Sequence, residues 1–125
     1  MNEVLFYIGG ATALLWGVSH LFPTKNVVED FGDISLDNKR IITMEWISEG
    51  VAWIFIGSSV IAVTVVDAHS AVSTVIYWLA VLTLIVLAIV SLFTGYKVNF
   101  LPYKLCPFIF TASAILILLG MNLNI

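Results

Sequence analysis

IITMEWISEGVAWIFIG, residues 41 to 57, is a largely apolar stretch that contains two glutamates one helical turn apart, Glu45 and Glu49. Apolar residues continue to Val66, so the segment exceeds the roughly 20 residues with which a helix crosses the hydrocarbon core of a bilayer. A charged side chain at the centre of such a helix costs roughly 2.5 to 3.5 kcal/mol. The two carboxylates therefore need protons, ion partners, a metal or water, and we expect a functional site around them.

Three other segments have a similar length and composition. The chain of 125 residues is 61% hydrophobic and 10% charged, whereas soluble domains contain roughly 25% charged residues. We predict an all-α fold, a four-helix transmembrane bundle with up-down-up-down topology that contacts the lipid bilayer. No basic segment precedes the first span, so we expect a retained helix and not a cleaved signal. The single integral membrane domain covers residues 1–125, with spans at about 3–22, 41–66, 71–94 and 101–120.

The basic residues predict the orientation in the membrane. If the four spans alternate, all five Lys and Arg residues lie at one membrane face; they are Lys25, Lys39, Arg40, Lys97 and Lys104. By the positive-inside rule this face is cytoplasmic, so both termini are expected outside. The net charge of −3, without a basic patch, predicts no nucleic-acid partner.

The segment between the first two predicted spans, residues 23–39, is the only long connection. It carries four acidic residues among apolar ones, without the spacing of a calcium-binding EF-hand loop. We therefore expect a short surface helix with solvated charges. Asp37 and Asn38 are residue types that suit the N-terminal cap of the second span.

His20 is expected to join the two glutamates. In the first span, Gly9, Ala13 and Gly17 recur every fourth residue, a pattern that lets a neighbouring helix approach closely. His20 follows Gly17 by three residues and falls near the same face, so we expect it to point into the bundle; the alternative is a histidine at the membrane interface. The stripe also permits packing against another copy, so a homo-oligomer or a membrane partner stays open.

The predicted site lies in the cytoplasmic half of the membrane. At 1.5 Å per residue, Glu45 lies about 6 Å and Glu49 about 12 Å beyond Ile41, which places Glu49 near the middle. The first interpretation is a metal site, in which His20, Glu45 and Glu49 bind zinc or iron. Tyr103 or Cys106, both near the bend expected at Pro107, is a further candidate ligand.

Three further interpretations of the same residues need no metal. The first of these is a pocket for a small apolar ligand, in which Trp16, Trp46 and Trp53 surround the histidine and the carboxylates. The second is a proton-coupled small transporter, since small transporters of that class have chains of similar length. The third is a structural or accessory membrane subunit, whose polar network only holds helices together. No G-x-S-x-G, P-loop or G-x-G-x-x-G motif is present, so no catalytic residue is assigned.

Part of the chain has a recognisable pattern. The runs WGVSHLFPT, residues 16–24, and FGDISLDNKRIITMEWISEG, residues 31–50, together resemble small four-span bacterial integral membrane proteins that are described only as uncharacterised. The resemblance covers the first two spans and their connection. It implies a location in the bacterial inner membrane and supplies no reaction.

Overall fold

The computed structural model describes residues 1–123 and is 86% helical, with no strand in that range. The helices are α1 (Glu3–Leu21), α2 (Thr24–Asp30), α3 (Leu36–Asp67), α4 (Ala71–Phe93) and α5 (Leu101–Asn122), with a 3-10 turn at Gly95–Lys97. Four of the described helical segments are long and apolar enough to cross a membrane. The prediction of an all-α protein with four such helices is confirmed, and the expected short helix before the second span is α2.

The helix α3 begins earlier than the hydropathy pattern predicted. It starts at Leu36, and the Ser35 side chain accepts a hydrogen bond from the backbone N–H of Asn38 at 3.2 Å. The expected cap at Asp37 and Asn38 was therefore wrong, and Asp37 instead lies in the first turn, where a negative charge is favourable. Hydropathy identifies only the apolar part of a helix, so it does not detect a polar turn that continues the helix beyond that part.

Two pairs of glycines bring α1 and α3 together. A Cβ atom added to Gly10 would lie 3.0 Å from the carbonyl oxygen of Gly57, and one added to Gly17 would lie 2.8 Å from that of Gly50. Small residues at these positions allow the backbones to approach. Because the earlier glycine of α1 meets the later glycine of α3, the two helices are antiparallel along this contact.

The stripe of small residues on α1 packs within the chain. Gly17 lies against α3, whereas a Cβ on Gly9 would lie 2.8 Å from Ile117 of α5. The hydroxyl of Ser113, also on α5, donates to the carbonyl of Gly9 at 2.7 Å. Ala13, between the two glycines, is 1% exposed. The stripe is thus occupied by α3 and α5.

One end of the bundle is closed by aromatic packing. The rings of Phe6 and Tyr77 stack with their centroids 3.9 Å apart, and both side chains are fully buried. The hydroxyls of Tyr77 and Thr64 are 2.9 Å apart and share a hydrogen bond. Large apolar side chains such as Phe55 and Val66 cover the outer surface, which is consistent with contact with lipid.

Candidate functional site

The other end of the bundle contains a cavity of about 370 Å³. It lies where α1 and α4 end and α5 begins, beside the first half of α3. Its polar lining comes from Ser19, His20, Glu49, Ser91 and Thr94, and its aromatic lining from Trp16, Trp46, Trp53, Phe100, Tyr103 and Phe110. The cavity thus contains every residue that the sequence named for the site except Glu45.

His20 and Trp46 join α1 to α3 through two reciprocal hydrogen bonds. The Trp46 indole N–H donates to the backbone carbonyl of His20 at 2.9 Å, and His20 Nε2 lies 3.1 Å from the backbone carbonyl of Trp46. The two rings are also stacked, with centroids 3.8 Å apart and an angle of 18° between their planes. The ring of Trp53 also lies against that of His20, with centroids 4.5 Å apart and the planes tilted by 59°. The hydrogen bonds and the two ring contacts together orient the imidazole.

Glu49 lies beside this pair at the edge of the cavity. Its Oε2 atom is 3.6 Å from His20 Nε2, and the side chains of His20 and Glu49 are 8% and 47% exposed. The histidine is thus held inside the cavity wall, while the carboxylate reaches the surface. The sequence predicted that His20 and Glu49 lie close together, and the structure has their side chains side by side.

The site lies at the end of α1. That helix has 19 residues, a length of about 28 Å, close to the roughly 30 Å of a hydrocarbon core. His20 is in its last turn, and Trp46 of α3 lies level with it. An α1 that just spans such a core would place His20 near one boundary, and the expectation that Glu49 lies near the middle of the membrane stays a prediction.

Glu45 does not join the other predicted residues. It is exposed on α3, is not part of the cavity lining, and its side chain has no hydrogen bond or ion pair with residues 1–123. Over the same range, no group of three or more His, Cys, Asp and Glu side chains is placed to hold a metal ion. The arrangement of His20, Glu45 and Glu49 therefore does not form the zinc or iron site that was predicted.

Two buried indole N–H groups beside the cavity lack a strong hydrogen-bond acceptor. Within residues 1–123, the Nε1 atoms of Trp16 and Trp53 donate to no oxygen or nitrogen atom. The Trp16 indole lies beside the Cys106 thiol, a weak acceptor, and the Trp53 side chain packs on Phe110 at 4.9 Å. A buried donor that is left without an acceptor costs roughly 1 to 3 kcal/mol. Among the buried side-chain groups of the described residues, these two indole donors lack a strong acceptor.

The sequence prediction missed the contribution of α4 and most of that of α5. Ser91, Thr94 and Phe110 line the cavity, although nothing in their local sequence indicates a site. One signal was present in α5, where Tyr103, Cys106 and Phe110 recur at helical spacing and so share one face. The residues on α4 could be found only from the packing of the helices.

The comparisons with known proteins give no relative for this arrangement. No family model matches the chain, and neither a curated protein nor a solved structure matches it.

Proposed function

We propose that this small membrane protein binds a small, mostly apolar molecule in the cavity near one membrane boundary. The observation that carries the proposal is the cavity itself, about 370 Å³ in volume, with a mostly apolar and aromatic lining and a few polar groups such as His20 and Glu49. Ligand sites are typically apolar hollows with a few polar groups that fix the orientation of the ligand. The polar groups in this lining serve that purpose here.

The volume indicates the size of the ligand. An apolar protein cavity of about 150 Å³ accepts benzene, and this cavity measures about 370 Å³. A bicyclic aromatic molecule or an aliphatic molecule of similar size fits that space. The cavity lies near the membrane boundary, so an apolar compound dissolved in the bilayer reaches it without crossing water.

The binding test uses the tryptophans of the cavity as reporters. Trp78, the fourth tryptophan, lies on α4 and is 49% exposed, so the variant Trp78→Phe confines the fluorescence to Trp16, Trp46 and Trp53. The probe is 1-nitronaphthalene, which is apolar, has acceptor oxygens and no donor, and quenches indole fluorescence. We expect saturable quenching in lipid nanodiscs, with a dissociation constant on the order of 10 to 100 µM.

A matched pair of variants separates binding in the cavity from partition into lipid. Ser91 lines the cavity, so Ser91→Phe fills part of it and is expected to abolish the saturable quenching. Ser48 is exposed and outside the lining, so Ser48→Phe is expected to leave it unchanged. Quenching that grows linearly with the probe, and equally in both variants, would exclude the proposed function.

We also propose the location that the charge pattern and the sequence resemblance favour: a bacterial inner membrane, four spans in up-down-up-down order, and both termini outside. The support is the distribution of the five Lys and Arg residues together with the positive-inside rule. Asp67, at the end of α3, is then external. In a Cys106→Ala background, Asp67→Cys should react with a membrane-impermeant maleimide on intact cells; reaction only after permeabilisation would reverse the orientation.

A further inference from the structure

The His20 imidazole makes both of its polar contacts through one nitrogen. Nε2 lies 3.1 Å from the Trp46 carbonyl and 3.6 Å from the Glu49 carboxylate. A carbonyl oxygen can only accept, so Nε2 carries the proton and donates it. Nδ1 has no hydrogen bond with any residue between 1 and 123.

Nδ1 is also open to contact. The fully buried side-chain nitrogen and oxygen atoms without a partner, in the described part of the chain, are the indole nitrogens of Trp16 and Trp53. Nδ1 has no partner and is not among them, so it retains accessible surface, and His20 lines the cavity. The Trp46 ring stacks on the imidazole, the Trp53 ring lies tilted against it, and Nε2 is held by the Trp46 carbonyl, so these contacts orient Nδ1.

We infer that His20, as a neutral imidazole protonated at Nε2, presents Nδ1 to the cavity as a hydrogen-bond acceptor. The ligand therefore carries a donor, and a hydroxyl group on an apolar, ring-sized body is the class that fits. The hydroxyl group donates its proton to Nδ1, and the apolar body contacts the aromatic lining of the cavity. This inference rests on the proposed function and specifies which ligand the cavity prefers.

The test compares two probes that differ only in the donor. In the Trp78→Phe protein, 2-naphthol and 2-methoxynaphthalene are each used to displace 1-nitronaphthalene, with affinities corrected for their partition into the lipid. We expect 2-naphthol to bind about fivefold more tightly, the effect of one neutral hydrogen bond. Equal affinities, or tighter binding of the ether, would overturn the acceptor role of His20 while leaving the proposed function intact.

Two histidine variants assign the preference to one residue. The amide nitrogen of His20→Gln can still donate to the Trp46 carbonyl, but the one acceptor of this side chain, the amide oxygen, is on the same carbon as that nitrogen and not at the position of Nδ1. We expect this variant to lose the preference, so that 2-naphthol and the ether bind equally. His69 is exposed and outside the cavity, so His69→Gln is expected to keep the preference. A preference that survives in His20→Gln would overturn the inference.

A measurement on the unaltered binding site covers the case in which His20→Gln does not fold. Long-range ¹H–¹⁵N correlation spectra distinguish protonated from unprotonated ring nitrogens, and comparison with His69→Gln assigns the signals of His20. We expect a proton on Nε2 alone and a shift of the Nδ1 resonance with 2-naphthol but not with 2-methoxynaphthalene. A proton on Nδ1 in the free protein, or the same shift with both probes, would overturn the inference. Failure of 1-nitronaphthalene to bind at all would instead remove the proposed function.

Discussion

Replacing Gly17 with alanine tests whether close packing of α1 on α3 supports the cavity. The added Cβ would lie 2.8 Å from both the carbonyl oxygen of Gly50 and the backbone nitrogen of Ile54. Both are backbone atoms and cannot move aside by a change of rotamer, so the helices must separate locally. The contacts between His20 and Trp46 lie one turn away, and we expect the separation to weaken them.

The expected magnitude combines three effects. Overpacking of a close interface costs roughly 1 to 3 kcal/mol. Each of the two hydrogen bonds between His20 and Trp46 contributes about 0.5 to 1.5 kcal/mol, and the separation loses part of that. Alanine regains about 1 kcal/mol through its higher helix propensity. If about half of that hydrogen-bond energy is lost, the net prediction for Gly17→Ala is a loss of about 0.5 to 3.5 kcal/mol of stability.

The assay is unfolding by a titration with SDS in mixed micelles, followed by circular dichroism, with binding of 1-nitronaphthalene measured on the same samples. Gly95→Ala is the matched control, because its Cβ would make ordinary contacts of 3.6 Å with Tyr103. We expect that control to change stability by less than about 0.5 kcal/mol. A Gly17→Ala protein as stable as the parent would refute the role of the close contact.

The remaining predictions concern hydrogen bonds and the two glutamates. Trp46→Phe removes the donor to the backbone carbonyl of its partner on α1 and should lower stability by about 1 to 3 kcal/mol in the same titration. Tyr77→Phe should cost less, about 0.5 to 1 kcal/mol, because the Thr64 hydroxyl keeps its bond to the carbonyl one turn earlier at 2.7 Å; equal losses in the two variants would contradict this ranking. Glu49→Gln should shift the ¹⁵N resonance of the adjacent imidazole Nε2, whereas Glu45→Gln should leave it unchanged, and a shift in both would place Glu45 near the site.

The separation of the two glutamates follows from helix geometry that was present in the sequence. An α-helix turns by about 100° per residue, so with Trp46 at 0° the interior positions Gly50 and Trp53 lie at about 40° and −20°. Glu49 then falls at about −60°, at the edge of the interior face, and Glu45 at about −100°, outside it. The two carboxylates are about 40° apart on the helix, as their spacing predicts, but the edge of the interior face lies between them. The tryptophans and the glycine that define this face are visible in the sequence and could have shown that Glu45 lies outside it.

Other features were outside the reach of sequence reasoning for physical reasons. The four long apolar helices follow from composition, because every such segment must avoid water. The residues that α4 adds to the cavity depend on the rotation of α4 about its axis, which is fixed by its packing partners. Nothing in the local sequence of Ser91 or Thr94 records that rotation. The direction of His20 was predictable because Gly17, three residues earlier, marks the face that meets α3.

The cavity itself results from a difference between the two ends of the bundle. At the closed end, α4 supplies the ring of Tyr77, which stacks on Phe6. At the open end, α4 and the turn after it supply the small residues Ser91, Thr94 and Gly95 opposite the aromatic wall. One aromatic residue on α4 would fill much of the space, and filling a void in a packed interior commonly adds stability. A polar network with a purely structural role gains nothing from such a void. If the cavity is a ligand site, we therefore expect the Ser91→Phe variant to be more stable than the parent protein and to lose binding of the probe.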